Sequence, residues 1–225
     1  MLIHLEQVLT AEQVAHCRQV LQAQAWVDGR VTAGEQSARA KHNLQVPEDA
    51  PAARELGELI LSALGRNPRF VAAGLPLRVF PPLFNRYDVG MGFGAHVDNA
   101  IRFAGPVRFR TDLSATLFLT DPAEYDGGEL IVEDAYGEHA IKLAAGDMIL
   151  YPATSLHRVA PITRGSRWAA FFWAQSMVRS DEQRRLLFDL DNAIQDLSVK
   201  VGQGDPAVVS LTGTYNNLLR MWSEV

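Results

Sequence analysis

Two residue types that bind metal ions lie close together in the stretch GAHVDNA, residues 94–100. If this stretch is extended, His96 and Asp98 point to the same side of the chain, because side chains alternate across a strand. An imidazole nitrogen and a carboxylate oxygen could then reach one cation. The same two residues would also suit a polar strand end, so the pair alone leaves both interpretations open.

A third metal ligand would have to come from another part of the chain, and His157 is the candidate. It begins a β-like segment within GDMILYPATSLHRVAP, residues 146–161. Two histidines and one carboxylate around an open coordination face form the facial triad of non-haem Fe(II) oxygenases. The other histidines are expected at packing, surface or turn positions: His4, His16, His42 and His139.

Arg167 is a candidate for binding an anion near this metal. It follows His157 by ten residues, beyond the turn-like stretch APITRGS. A hairpin centred near Ile162 would place positions 157 and 167 roughly opposite each other. A buried arginine needs an anionic partner. That partner is either a carboxylate in a strand-end salt bridge or the carboxylate of a co-substrate that also chelates the metal.

These candidates lie in a β-rich central region, which must position them. From Leu77 to about Ser176, short β-like segments alternate with turn residues, which favours an antiparallel sandwich or barrel over a βαβ fold. Before this region, a capping box at Thr10–Gln13 predicts a helix over 11–24, and an apolar repeat ending at Gly65 predicts a second.

Helical spacing returns after Ser180. The first apolar stripe consists of Leu186, Leu190, Ile194, Leu197 and Val201, and the second of Leu211, Tyr215, Leu218, Leu219 and Trp222. We expect a pair of helices that covers the barrel or forms a homo-oligomer contact. The chain is thus divided into a helical and connecting region packed on the core (1–76), the core (77–178) and a helical extension (179–225).

Composition excludes several classes of function. The chain has 225 residues, of which 48% are hydrophobic and 21% charged, as in ordinary globular proteins. A formal charge of −5 provides no basic excess for nucleic acid. We expect no membrane span, because no apolar run is long enough. The single Cys17 cannot form an internal disulfide, and the start MLIHLEQVLT lacks signal-peptide features, so we expect a cytoplasmic protein.

The order of three motifs resembles a known enzyme family. RYDVGMGFGAHVD, YDGGELIVED and GDMILYPATSLHRVAPITRGSRWAAFFWAQS resemble the Fe(II)/2-oxoglutarate-dependent dioxygenases of the prolyl-hydroxylase type. More narrowly, the whole chain is similar to the bacterial PKHD-type hydroxylases, some of which are named iron-uptake factors. The resemblance implies a mainly β fold with flanking helices and a double-stranded β-helix (jelly-roll) core that holds Fe(II).

The resemblance also assigns roles to residues. It makes His96, Asp98 and His157 the iron ligands, and Arg167 the partner of the distal carboxylate of 2-oxoglutarate. Tyr87 matches a tyrosine that helps to bind the same co-substrate, although a core residue with a satisfied hydroxyl group is the alternative. Because Asp98 is present where related halogenases have glycine or alanine, hydroxylation is favoured over halogenation.

The implied activity is hydroxylation coupled to the conversion of 2-oxoglutarate and O2 to succinate and CO2, with L-ascorbate as a further cofactor of the family. The substrate class stays open between a peptide and a small molecule such as a siderophore, as does a link to iron uptake. A non-catalytic sensor of iron or 2-oxoglutarate is the alternative. The segment 99–112, NAIRFAGPVRFRTD, mixes arginines with phenylalanines and is either a lid that favours an anionic or partly apolar substrate, or a solvated loop.

Overall fold

The computed structural model describes residues 1–32 and 40–225. Most of its strands form two antiparallel sheets. In chain order the strands are β1 (Ile3–Leu5), β2 (Val27–Asp28), β3 (Lys41–His42), β4 (Leu44–Gln45), β5 (Pro76–Val79), β6 (Leu83–Tyr87), β7 (Gly92–His96), β8 (Ile101–Ala104), β9 (Val107–Arg110), β10 (Leu113–Phe118), β11 (Asp126–Gly127), β12 (Leu130–Asp134), β13 (Gly137–Ile141), β14 (Met148–Pro152), β15 (His157–Val159), β16 (Ile162–Arg164) and β17 (Arg167–Ser176).

The larger sheet has the strand order β1-β14-β10-β17-β6-β4-β2, and β5 also pairs with β17. The smaller sheet has the order β13-β12-β15-β7-β3. Two short ladders, β8 with β9 and β11 with β16, lie outside the two sheets. The antiparallel β core predicted from the sequence is confirmed.

Five α-helices flank the sheets in the part of the chain that is described. They are α1 (Ala11–Gln22), α2 (Pro51–Gly65), α3 (Pro68–Gly74), α4 (Asp181–Val201) and α5 (Pro206–Trp222). The predicted capping box is present at the start of α1, where Thr10 accepts from the backbone of Gln13 and the Gln13 side chain accepts from the backbone of Thr10. None of these helices combines the length and apolar character that crossing a membrane requires.

Alternation along the larger sheet divides the core into two layers. On β10, Leu113, Ala115 and Leu117 belong to the cluster that packs against α1 to α3, whereas Phe118 belongs to a cluster between the two sheets. On β14, Met148 and Leu150 likewise face the helices, and Ile149 and Tyr151 face the smaller sheet. One face of each strand therefore anchors the sheet to the helices, and the other is available to line a site between the sheets.

The structure corrects the N-terminal prediction in one respect. Residues 1–76 were expected to be helical and connecting, but β1, β2 and β4 belong to the larger sheet and β3 to the smaller one. These strands have only two or three residues each, so they carry no visible period-two pattern. α3 was not predicted either, because a seven-residue helix is too short to show a helical repeat.

The C-terminal helical pair is confirmed, and part of the apolar stripe predicted on α4 is not buried within the chain. Leu187 is fully buried and packs with Leu75 and Val178, whereas Leu186 is 59% exposed and Val201 50% exposed. The stripe was chosen from spacing alone, whereas the side of α4 that is buried depends on contacts with α3, α5 and the segment after β17. On α5, the predicted Tyr215, Leu218, Leu219 and Trp222 do pack on this cluster.

Candidate functional site

The two candidate histidines meet across neighbouring strands of the smaller sheet. His96 ends β7 and His157 begins β15, and the two residues are direct partners in the antiparallel ladder. Side chains of such partners lie close together on one face of a sheet. The centres of the two imidazole rings are 4.2 Å apart. The pairing of β7 with β15 therefore brings together residues that are 61 positions apart in sequence (157 minus 96).

Each imidazole is held in an orientation suited to a metal. The Nδ1–H of His96 donates to the carbonyl oxygen of Gly94 at 2.9 Å, and the Nδ1–H of His157 donates to that of Ser155 at 3.0 Å. A carbonyl oxygen can only accept, so these bonds place the ring proton on Nδ1 and leave the Nε2 lone pair for a cation. The ring of Phe93 stacks on His96 with a centroid distance of 3.7 Å.

Burial keeps His96 in the form that binds metals. Burial, and after it the positive charge that His157 can carry, lowers the pKa of His96 to about 4. His96 is therefore neutral at pH 7. Since a metal ion competes with protons for an imidazole, a low pKa removes that competition near neutral pH.

Asp98 completes the cluster from just beyond the end of β7. One ligand atom from each of His96, Asp98 and His157 lies within 4.8 Å of the others, and the Asp98 Oδ2 is 3.8 Å from the His157 Nε2. Ser114, on β10 of the opposite sheet, donates a 2.6 Å hydrogen bond to Asp98 Oδ2. The carboxylate is thus oriented from the larger sheet, while the imidazoles are carried by the smaller one.

The glycines before His96 allow the chain to pack closely. A Cβ atom on Gly94 would lie 2.8 Å from the Cβ of Ala40, and one on Gly92 would lie 3.0 Å from the carbonyl oxygen of Val159. Real Cβ atoms are not found at the first distance and rarely at the second. β7 can therefore lie against both β3 and β15 only without side chains at these positions.

Arg167 is fully buried at the start of β17, on the sheet opposite the histidines. Its exposed fraction is 1%, and its guanidinium lies 5.0 Å from the ring centre of Phe118 and 5.5 Å from that of Tyr87. Within residues 1–32 and 40–225 it forms no ion pair with a carboxylate, and its buried Nε has no hydrogen-bond partner. A buried cation in this state is suited to receive an anion.

The predicted hairpin pairing of positions 157 and 167 is wrong. His157 pairs with His96 and Val132 in the smaller sheet, whereas Arg167 pairs with Tyr87 in the larger one. Between them the chain forms β16, which pairs with β11, and so passes from one sheet to the other. Arg167 nevertheless lines the same pocket as the three candidate ligands, because its side chain faces across the gap between the sheets.

Tyr87 lies beside Arg167 and is 1% exposed. Burial raises its pKa, and the Arg167 charge partly offsets this effect. Burial likewise raises the pKa of Tyr125 and raises that of Tyr151 well above its ordinary value. These phenols are therefore neutral at pH 7 and place no negative charge beside Arg167.

Several residues of this pocket escaped the sequence analysis. Ser114, Thr116, Asn85, Lys41, Phe171 and Trp173 all line it. For Ser114 and Thr116 there was a signal, since two hydroxyl residues share one face of the otherwise apolar strand LSATLF. For Lys41 and Asn85 there was none, because they come from strands whose place in the sheets is set by contacts distant in sequence.

The donor set fits a ferrous ion. Two imidazoles and one carboxylate on one side of a cation, with the other side open to a pocket, match the facial triad of non-haem iron oxygenases. The guanidinium of Arg167, which forms no ion pair with a carboxylate of the described residues, fits one end of a dicarboxylate that reaches the same ion. The three donor groups therefore suit iron, and Arg167 beside them suits the second carboxylate of 2-oxoglutarate.

Comparisons with known proteins agree with this chemistry. Residues 82–175 match the model of the 2OG-Fe(II) oxygenase superfamily, and residues 181–224 match that of the PKHD-type hydroxylase C-terminal domain. A PKHD-type hydroxylase from Methylobacterium nodulans is 63% identical over the full length of both chains, and one from Beijerinckia indica is 60% identical over the same extent.

A solved structure shows the same fold. A prolyl-4-hydroxylase from Pseudomonas putida has a TM-score of 0.52 and 23% identity, and the match covers 78% of this chain and 92% of that one. The predicted jelly-roll core is thereby confirmed. The chain belongs to the PKHD-type hydroxylases of the 2OG-Fe(II) oxygenase superfamily and is a 2-oxoglutarate-dependent dioxygenase.

Proposed function

We propose that the protein hydroxylates a carbon atom of a small molecule or peptide at an iron site formed by His96, Asp98 and His157. The observation that carries this proposal is the position of Arg167, a buried cation with no acidic partner in the described chain, in the same pocket as the three donors. A metal site alone would not need such a group. A co-substrate that chelates the metal and carries a second carboxylate does.

The chain's own residues bind and orient. His96 and His157 offer Nε2 atoms whose direction is fixed by their Nδ1 hydrogen bonds, and Ser114 orients Asp98. When bound, Fe(II) and 2-oxoglutarate supply the reaction with O2, in which one oxygen atom enters succinate, CO2 is released and the other oxygen atom becomes the hydroxyl group of the product. The buried aromatic walls limit the entry of water to the site.

Arg167 binds the distal carboxylate of 2-oxoglutarate in this proposal, and Tyr87 contributes its hydroxyl group to the same carboxylate. The two residues are direct partners in the β6–β17 ladder, so they present their side chains on one face. Tyr87 remains a neutral donor because burial raises its pKa. Neither residue reacts; both determine where the co-substrate lies relative to the metal.

The remaining assignments rest on the family resemblance, on composition and on the surface of the C-terminal helices. We propose a cytoplasmic enzyme that acts in iron uptake or homeostasis, uses L-ascorbate to maintain activity, and binds neither nucleic acid nor membrane. We further propose a homo-oligomer through α4 and α5, since Leu186, Val209 and Met221 leave apolar surface exposed on these helices. Light scattering on the full chain tests the last point, and ascorbate dependence over many turnovers tests the cofactor.

The iron assignment is tested by metal binding in matched histidine variants. His157→Ala should lose most of its affinity for Fe(II), or for Mn(II) measured by EPR, because it removes one of three protein ligands. His139→Ala is the control, since His139 lies two strands from His157, on β13, and its side chain bonds with the exposed Asp134. Equal metal binding by His157→Ala and the wild type would contradict the assignment.

The co-substrate assignment is tested by the visible charge-transfer absorption that Fe(II) develops on chelation by 2-oxoglutarate without O2. Arg167→Ala should require far more 2-oxoglutarate to develop this band while it retains the metal. Arg158→Ala is the control, because Arg158 lies on β15 but forms a surface ion pair with Glu138. An unchanged 2-oxoglutarate requirement in Arg167→Ala would overturn the role of this residue.

A further inference from the structure

The two residues proposed to bind the distal carboxylate of 2-oxoglutarate form the last pair of the β6–β17 ladder. β6 ends at Tyr87, β17 begins at Arg167, and the two residues are direct partners. The ends of a ladder are where strands separate most easily. A carboxylate that both side chains bind requires a fixed separation between them, so contacts outside the ladder have to hold this end together.

The strands on either side of β6 and β17 do not reach this pair. β4 pairs with β6 as far as Arg86. β10 supports β17 as far as Trp168, whose carbonyl oxygen accepts from the backbone N–H of Leu119 at 3.0 Å. In the described part of the chain, both ladders therefore stop one residue short of Tyr87 and Arg167.

Side-chain hydrogen bonds join the two strands just beyond the pair. Ser166 precedes Arg167, and its hydroxyl group donates to Oδ1 of Asp88, the residue after Tyr87, at 2.8 Å. The indole N–H of Trp168 donates in turn to the Ser166 hydroxyl group at 2.8 Å. The residues that flank one member of the pair are thus connected to a residue that flanks the other.

Arg86 closes these contacts into a ring. Its Nε donates to Asp88 Oδ1 at 2.8 Å, and its guanidinium lies 5.5 Å from the ring centre of Trp168, its partner in the ladder. Because side chains alternate along a strand, these residues lie on the face of the sheet away from the pocket. We call the four residues Arg86, Asp88, Ser166 and Trp168 the outer ring.

We propose that the outer ring positions the co-substrate clamp by fixing the separation between Tyr87 and Arg167. Its members are positioning residues, since none of them is among the residues that line the pocket. When the ring is broken, the end of β6 can move relative to that of β17, and the clamp no longer selects one length of dicarboxylate. This inference rests on the proposed function, because it requires that the two residues bind the distal carboxylate.

The test compares two 2-oxo acids on the full chain loaded with Fe(II), without O2. 2-Oxoadipate is one methylene group longer than 2-oxoglutarate, and the visible absorption band reports the chelation of either acid. The wild type should prefer 2-oxoglutarate. Ser166→Ala and Asp88→Ala should each raise the 2-oxoglutarate concentration required by about three- to tenfold, the effect of one lost hydrogen bond, and should reduce the preference. Mn(II) binding should not change.

Two variants serve as controls for the loss of the hydroxyl group and of the carboxylate. Ser166→Thr retains a hydroxyl group and should retain the wild-type preference. Asp126→Ala removes a carboxylate that also bonds across strands, to Arg164 on β16, but away from the clamp. Partial unfolding would weaken both acids alike and leave their ratio unchanged. The proposal is therefore overturned by a wild-type ratio in both Ser166→Ala and Asp88→Ala, or by a wild type that binds both acids equally.

Hydrogen exchange provides a readout that needs neither iron nor co-substrate. In the metal-free chain, the peptides that contain Tyr87 and Arg167 should exchange their backbone hydrogens faster in Ser166→Ala than in the wild type, because the last pair of the ladder opens more often. The same peptides should exchange at the wild-type rate in Asp126→Ala. Equal exchange in Ser166→Ala and the wild type would contradict the proposed restraint.

Arg167→Ala, titrated in the same way, separates this inference from the proposed function. If Arg167→Ala requires no more 2-oxoglutarate than the wild type, the clamp itself is wrong and the proposed co-substrate site fails with it. If Arg167→Ala requires far more 2-oxoglutarate but Ser166→Ala and Asp88→Ala match the wild type for both acids, the clamp stands and the role of the outer ring alone is refuted.

Discussion

Removing the Ser114 hydroxyl group should weaken metal binding although Ser114 is not a candidate ligand. Ser114 is 2% exposed and donates a 2.6 Å hydrogen bond to Asp98 Oδ2. A hydrogen bond to a charged group is worth about 1.5 to 3 kcal/mol, and each 1.4 kcal/mol is tenfold in affinity. We therefore expect Ser114→Ala to bind Mn(II) or Fe(II) roughly 10- to 100-fold more weakly.

Two effects of this hydrogen bond oppose each other. It draws electron density from the carboxylate, which by itself weakens a metal bond, and it orients the carboxylate, which strengthens one. Orientation should dominate, because β7 ends at His96 and Asp98 lies beyond the strand, where no sheet ladder fixes it. Losing the hydroxyl group then allows Asp98 to adopt rotamers that point away from the two imidazoles.

Mn(II) titration followed by EPR measures the effect, and Thr116→Val is the matched control. Thr116 lies two residues along β10 on the same face, is 6% exposed and lines the pocket, but its hydroxyl group interacts with Tyr151 and not with Asp98. The control should bind Mn(II) as the wild type does. Wild-type or tighter binding by Ser114→Ala would refute the reasoning that orientation dominates.

Three further predictions concern folding. Gly128→Ala should lower the free energy of unfolding by about 1 to 3 kcal/mol, because the φ of Gly128 is +69° and a Cβ there would lie 2.3 Å from the Ile162 side chain. Gly105→Ala is the control, since Gly105 has a φ of +57° but no atom close to an added Cβ. Urea titrations of the two variants therefore separate the cost of backbone strain from the cost of crowding. Arg184→Met should cost about 3 kcal/mol by calorimetry, since two backbone carbonyls after β17 lose their donor. As pH falls from 6.5 through about 4, His96 gains a proton in the unfolded chain but not in the folded, metal-free chain. The free energy of unfolding should therefore fall by up to about 3 kcal/mol over this range. Urea titrations at several pH values should show this decrease in the wild type and not in His96→Gln.

The candidate ligands could be predicted from the sequence because local rules determine their direction. The β character of the segments around residues 96 and 157 places His96 and His157 on strands, and Asp98 follows His96 closely enough to reach the same ion from just beyond β7. The pairing of His96 with His157 completes the cluster. Arg167 was predicted to face the site through a hairpin, and it faces the site from the other sheet instead.

The rest of the pocket could not be predicted, because it depends on how the two sheets stack. Ser114 bonds to Asp98 across the gap between the sheets, and Lys41 reaches the pocket from a two-residue strand. The position of Arg102 depends on the β8–β9 hairpin folding back so that Arg102 lies over Trp173. None of these contacts can be predicted from the spacing of apolar residues within one helix or strand.

The two faces of β17 connect the core of the protein to the candidate site. Its residues Ala170, Phe172 and Ala174 pack into the core against the helices, while Arg167, on the opposite face, lines the site. The candidate ligands, in contrast, are carried by the smaller sheet. The separation between the candidate ligands and Arg167 is therefore set by the core between the sheets, which includes Tyr87, Phe118 and Tyr151. If 2-oxoglutarate reaches both sides at once, as proposed, this aromatic core determines its fit as much as the residues that bind it do.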